Sequence, residues 1–167
     1  MNQNIVLIGF MASGKSTVAK KISKELDFFM LDTDEVIEKS VGEKISLIFE
    51  NKGEKHFREL EKKLFKSIKK LNGFIISTGG GFCLKKVQKL GLVVWLDTPF
   101  KEILKRLDEK ELSNRPKAKD DLKNLEKLYK ERKKIYKKSA HIRVKTKQKS
   151  LDEIVENIIN AINAFKN

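Results

Sequence analysis

Gly9-Phe10-Met11-Ala12-Ser13-Gly14-Lys15-Ser16 follows the apolar run Ile5 to Ile8 and precedes Val18, Ile22 and Leu26, which recur at helical spacing. Strand, glycine-bearing turn and helix, in that order, is the setting in which G-x-x-x-x-G-K-[ST] binds phosphate. The glycines let successive backbone amides turn toward anionic oxygens, and the helix that follows adds its positive end. Lys15 then supplies a cation for the outer phosphates and Ser16 a hydroxyl for a Mg²⁺ ion. The stretch therefore predicts a nucleoside triphosphate site formed by Gly9, Ala12, Ser13, Gly14, Lys15, Ser16 and the adjoining Thr17.

Four further apolar runs rich in branched residues lie at Phe28 to Leu31, Phe74 to Ile76, Leu92 to Leu96 and Ile142 to Val144. Their near-continuous hydrophobicity predicts strands buried on both faces, as in a parallel sheet covered by helices. Between them Phe57, Leu60, Leu64, Ile68 and Leu71 keep helical spacing, as do Leu151, Ile154, Val155, Ile158 and Ile162 after a capping box at Ser150 and Glu153. Strands alternating with helices predict an α/β doubly wound fold in which residues 1–167 form one domain. Only Asp108 to Asp121 resists assignment; it is polar, contains Arg115 and Pro116, and reads as a functional or mobile loop.

A chain of 167 residues is long enough for a single core. Its net charge of +14 raises the question of nucleic acid, but the lysines are spread along the chain and mixed with glutamates, without interleaved aromatic residues. We therefore expect no nucleic-acid partner and read the charge as a general attraction for anionic ligands. Of the 37 basic residues only Arg58, Arg106, Arg115, Arg132 and Arg143 are arginine. Where lysine serves for most positive charges, each arginine marks a candidate place for a planar, bidentate fork. Cys83 is the only cysteine, which excludes an intrachain disulfide or a cysteine metal cage. No run is long enough for a membrane span, and the start of the chain lacks a basic leader with a cleavage site, so the expected setting is cytoplasmic, with no membrane partner.

Two apolar runs end in aspartate, at Asp32 and Asp97. Asp97 precedes Thr98-Pro99-Phe100, read as a helix start with threonine as the cap and proline in the first turn, so its role is structural. Asp32 precedes Thr33-Asp34, and extended geometry would send the two carboxylates to one side at the sheet edge, one toward Mg²⁺ and one toward an acceptor hydroxyl, the alternative being that Asp34 caps a helix. Gly79-Gly80-Gly81 is a costly run for a simple turn and predicts close approach of the backbone to a ligand, with Ser77 or Thr78 near the metal. Arg58 and Glu61 lie three apart on a helix, which by spacing alone is a surface ion pair.

Taken together, Gly9 to Ser16, Asp32-Thr33-Asp34, Phe57-Arg58-x-x-Glu61, Gly79 to Gly81, Arg115-Pro116 and Glu131-Arg132 with Tyr136 resemble the shikimate kinase family over essentially the whole chain. The resemblance implies a P-loop three-layer α/β/α sandwich with five parallel strands in the order 2-3-1-4-5. It also implies ATP-dependent phosphorylation of the shikimate 3-hydroxyl, in the aromatic amino acid pathway, by a monomer. By position, Asp34 would meet the hydroxyl, with Lys15 and Arg115 as the other catalytic residues. Arg58 and Arg132 would clamp the shikimate carboxylate, with Phe57, Glu61 and Gly79, Gly80 and Gly81 beside them. Residues 33–61 would form the shikimate-binding region and 108–121 a lid bearing Arg115. Arg106 would lie against adenine, while Ser16 and Asp32 would hold Mg²⁺. Ala12 stands where many members carry glycine, and Thr146 to Lys149, expected near adenine, lacks a distinctive match. Arg143 has no implied role. The rivals are a kinase for gluconate or a nucleotide, and a GTPase, against which stands Asn51-Lys52-Gly53-Glu54 where Asn-Lys-x-Asp would be needed, too early in the chain.

Overall fold

The computed structural model describes residues 3–108 and 118–166. Five strands, β1 (Ile5–Ile8), β2 (Phe29–Asp32), β3 (Phe74–Ser77), β4 (Leu92–Asp97) and β5 (Ile142–Lys145), form one sheet in the order β2-β3-β1-β4-β5. All pairings are parallel, with Ile5 opposite Ile75 on one side and Leu92 on the other. The helices are α1 (Lys15–Glu25), α2 (Thr33–Val41), α3 (Ile45–Ile68), α4 (Phe100–Asp108), α5 (Ala118–Ser139) and α6 (Leu151–Lys166). The α/β architecture and the strand order are those expected.

The alternation of strand side chains builds two cores. Ile5, Leu7, Val94 and Leu96 pack with Val18 and Ile22 of α1 and Ile154 and Ile158 of α6. Val6, Ile8, Val93 and Trp95 face the opposite way, against Phe65 and Ile68 of α3, Ile103 of α4 and Tyr136 of α5. Three layers result, with the sheet in the middle. A third, small cluster of Ile37, Ile48 and Phe57 fixes α2 to α3. There α3 bends at Gly53, whose φ of +76° is a conformation that glycine tolerates.

The sequence overstates burial at the sheet edges. Phe29 is 78% exposed, leaning on Phe74 with ring centroids 6.0 Å apart, and β5 alternates buried Ile142 and Val144 with exposed Arg143 and Lys145. An edge strand has a neighbour on one side only, so part of its surface stays open to water. The stretch Asp108 to Asp121 is also shorter as a loop than expected: Asp108 ends α4 and Ala118 begins α5, while the rest of the predicted lid, Arg115 and Pro116 included, lies outside the described residues. Among the described residues no helix is long and apolar enough to cross a membrane.

Candidate active site

The chain leaves β1 through the glycine-bearing loop and enters α1 at Lys15, so the loop sits over the C-terminal edge of the central strand. A Cβ on Gly9 would stand 2.9 Å from both the Leu96 carbonyl and Ser13 Oγ, so only glycine lets the loop close down on β4. Ala12 has φ +55° and Gly14 φ +89°, the curl that turns amides inward. The first turn of α1 carries no acidic side chain, which leaves its positive end free for an anion.

Lys15 is 8% exposed and folds back over the loop, its Nζ donating to the Phe10 carbonyl at 2.8 Å and Ser13 Oγ at 3.4 Å. Burial pulls its ammonium down to about 8, against the raising influence of the Asp34 and Asp32 carboxylates. A desolvated cation so placed gains strongly from an arriving polyanion. Ser16 Oγ donates to Asp32 Oδ2 at 2.7 Å and lies 3.2 Å from Ser77 Oγ. Thr78 is turned away, donating to the Leu7 carbonyl, so of the two candidates Ser77 is the one beside the metal-side hydroxyl. One carboxylate and two hydroxyls suit Mg²⁺, which keeps waters and takes phosphate oxygens for its remaining positions. Among the described residues no three His, Cys, Asp or Glu side chains gather as a protein-only cage.

Asp32 and Asp34 do not share an extended strand. The strand ends at Asp32, whose Oδ1 accepts from the Asp34 and Glu35 amides at 3.0 and 3.4 Å and so caps α2. The cap is Asp32, and Asp34 lies in the first helical turn. Buried Thr33 accepts from the Gly79 amide at 2.9 Å, tying that turn to the glycine run. Asp34 Oδ1 is buried without a hydrogen-bond partner. Burial pushes the Asp34 carboxyl up to about 6, aided by the charges of Asp32, Glu61 and Glu38 and opposed by Lys15.

The glycine run makes room for side chains. A Cβ on Gly79 would fall 2.5 Å from Asp34 Oδ1, and one on Gly81 would fall 2.6 Å from Arg132 Nη1. Between them, the Gly80 carbonyl accepts from the Tyr136 hydroxyl at 2.5 Å. Arg58 reaches Glu54 through Nε and Nη2 and Glu61 through Nη1, at 2.8 to 3.1 Å. The Glu61 side chain is only 3% exposed, which corrects the surface pair read from spacing: this carboxylate is buried and holds Arg58 at the pocket wall. Three of five guanidinium donors are thus engaged, and two remain for a ligand.

Asp34, Phe57, Arg58, Glu61, the three glycines and Arg132 line one cavity of ≈ 240 Å³. The same wall includes Phe10, Met11, Ile45, Phe49 and Leu128, which the sequence did not single out because an apolar residue lining a pocket looks like one lining a core. Exposed Met11 and Phe49 carry that distinction only once the fold is known. On the other side of the loop, Ala12, Ser13, Gly14, Thr17, Arg106 and Lys149 line a second cavity of ≈ 360 Å³. Arg106 donates to the Ala12 carbonyl at 2.9 Å, and Lys149 is the member of the 146–149 segment that reaches this cavity. Arg143, without a role in sequence, bonds Asp97 and stacks over Trp95 at 4.9 Å. Arg115 lies outside the described residues.

A family model for shikimate kinase matches residues 11–163. A shikimate kinase of Persephonella marina is 41% identical over 165 residues, covering 96% of this chain and 99% of that one. Among solved structures, shikimate kinase from Aquifex aeolicus matches with a TM-score of 0.82 and 38% identity over 98% of both chains. The enzyme from Acinetobacter baumannii, in complex with shikimate, matches with a TM-score of 0.84 and 29% identity over 98% of this chain and 94% of that one. Since these matches run through both cavities and the loop between them, the chain belongs to the shikimate kinase family.

Proposed function

We infer that the chain transfers the γ-phosphoryl group of ATP to the 3-hydroxyl of shikimate, a reaction of aromatic amino acid biosynthesis. The observation that carries the reading is the unpartnered, buried Asp34 Oδ1 in a cavity shared with Arg58 and Arg132 and bordered by the phosphate loop. Two arginine forks suit a carboxylate, and the acceptor atom of Asp34 suits a hydroxyl proton. The donor enters from the ≈ 360 Å³ cavity, where Arg106 and Lys149 stand near the base end.

In the transfer, the shikimate oxygen bonds to the γ-phosphorus, the bond to the β–γ bridging oxygen breaks, ADP leaves, and the hydroxyl proton passes to the Asp34 carboxylate. The transition state is loose, so positioning and charge neutralisation contribute most. Lys15 and the loop amides hold the outer phosphates, and Arg115 of the 108–121 segment is assigned to the transferring group. Ser16 and Asp32 would hold a Mg²⁺ ion, which supplies neutralisation of the triphosphate charge. Both halves of the site come from one chain, which supports a monomer as the working unit, and ATP as donor goes with a cytoplasmic setting. The test is shikimate-dependent formation of ADP, with gluconate and nucleoside monophosphates offered in parallel; equal turnover of gluconate would overturn the acceptor assignment.

A further inference from the structure

Thr98 follows β4 and looks from sequence like the cap of α4. It does not cap it. The carbonyl of Pro99 accepts from Glu102 and Ile103, while Thr98 is 2% exposed and its hydroxyl is used elsewhere. Thr98 Oγ1 accepts from Thr146 Oγ1 at 2.8 Å and donates its single proton to the carbonyl of Ser13 at 3.4 Å, inside the phosphate loop. Its own carbonyl accepts from the Tyr129 hydroxyl of α5 at 3.0 Å, a contact that leaves the Thr98 side chain uninvolved.

The bond to Ser13 matters because of what the far side of that peptide does. A trans peptide is planar, with its carbonyl and the following N–H pointing in opposite directions. Anchoring the Ser13 carbonyl toward the interior therefore aims the Gly14 N–H outward, into the phosphate cradle. Gly14 is the N-cap of α1, so this N–H has no acceptor within the helix. Its φ of +89° lies where glycine is free to move, so the glycine does not itself fix the orientation of this peptide, and a bond to the Ser13 carbonyl adds a restraint.

We propose that Thr98 is a positioning residue for nucleotide binding: its hydroxyl locks the Ser13–Gly14 peptide with the amide facing the phosphates. The inference rests on the reading of Gly9 to Ser16 as the nucleotide loop. Thr98→Val keeps the shape and removes the donor, and Thr98→Ala removes it with less crowding of the Ser13 carbonyl. Both should weaken ADP binding, measured by calorimetry, by about five- to tenfold, the scale of one lost hydrogen bond with its acceptor left buried. Turnover at saturating ATP and the KM for shikimate should stay within about twofold, and Thr98→Ser should restore ADP affinity.

Tyr129→Phe is the control. It deletes a hydrogen bond to the same residue and retains the ring that packs on Phe10, so it should lower stability and leave ADP affinity unchanged. ADP affinity at the wild-type level in both Thr98→Val and Thr98→Ala would overturn the proposal, as would an equal loss in Tyr129→Phe. If one Thr98 variant does not fold, the other decides. A wild-type chain that does not bind ADP would sink the nucleotide reading itself, and this inference with it.

Discussion

The donor and acceptor halves of the site, a few residues apart across the same loop, are built in opposite ways. On the donor side the side chains have protein partners and loop amides are left for the ligand: Lys15 is on Phe10 and Ser13, Ser16 on Asp32, and Arg106 on the Ala12 carbonyl. On the acceptor side Asp34 Oδ1 has none, and the neighbouring carboxylates of Asp32, Glu61 and Glu38 raise the cost of its charge. The donor half is finished before its ligand arrives, as suits a multiply charged group that needs a rigid cradle. The acceptor half keeps a destabilised carboxylate, whose discomfort a donated hydroxyl proton would relieve.

The sharpest break of this contrast is Asp34→Asn. Turnover should fall by about 10²-fold or more, the scale of lost acid–base help, while shikimate affinity stays within several-fold. Near-normal turnover would remove Asp34 from its role. The same change should stabilise the ligand-free protein. Because the folded-state carboxyl is raised to about 6 from 3.8, ionising it costs more in the folded chain than in the unfolded one. The penalty is complete above the folded value, shrinks as pH falls between the two, and is absent below the lower. Allowing for partial exposure, the gain at pH 7 is of the order of 1 to 2 kcal/mol, and it should vanish below about pH 4. Urea denaturation at pH 7 and pH 4 reads it directly. In the wild type, kcat/KM should fall as pH drops through about 6, the limb that marks loss of the carboxylate.

Asp32→Asn probes the donor half and should act more gently. The amide oxygen can still cap α2, and the amide nitrogen can still meet Ser16, so the fold should survive with a stability change under about 1 kcal/mol. What is lost is the negative charge beside the Ser16 hydroxyl. The Mg²⁺ concentration for half-maximal activity should therefore rise several-fold with little change in shikimate KM. An unaltered Mg²⁺ titration would confine Asp32 to capping.

How far the sequence reached follows from the same contrast. The phosphate loop was legible because its contacts are local: Gly9 to Ser16 carries its glycines, cation and hydroxyl within eight positions. The strands were legible as apolar runs, and the scarcity of arginine pointed to Arg58, Arg106 and Arg132, all of which line one of the two cavities. The acceptor half was legible as a set of residues but not as a geometry. Periodicity does not say that Glu61 is buried beneath Arg58, that Asp34 lies in the first turn of a helix capped by Asp32, or that Arg143 finds Asp97 from 46 residues away. Thr98 was misread for the same reason, since a threonine before Pro99 satisfies a local rule and its partners, Ser13 and Thr146, lie 85 and 48 residues off.

The smallest test concerns Ala12, where the donor half departs from the glycine that many family members carry. Its φ of +55° puts an L side chain in the left-handed region, at a cost of about 1 kcal/mol. Glycine removes that cost but loosens the unfolded chain by about 0.4 to 1 kcal/mol. The two terms nearly cancel, so Ala12→Gly should change stability by no more than about 0.5 kcal/mol in either direction. ADP affinity separates the remaining possibilities. If the loop is held by its partners, among them Arg106 on the Ala12 carbonyl and Thr98 on that of Ser13, affinity should be unchanged. A loss of more than about threefold would mean that the alanine itself stiffens the cradle, and the donor half would then owe its rigidity to the backbone rather than to the bonds around it.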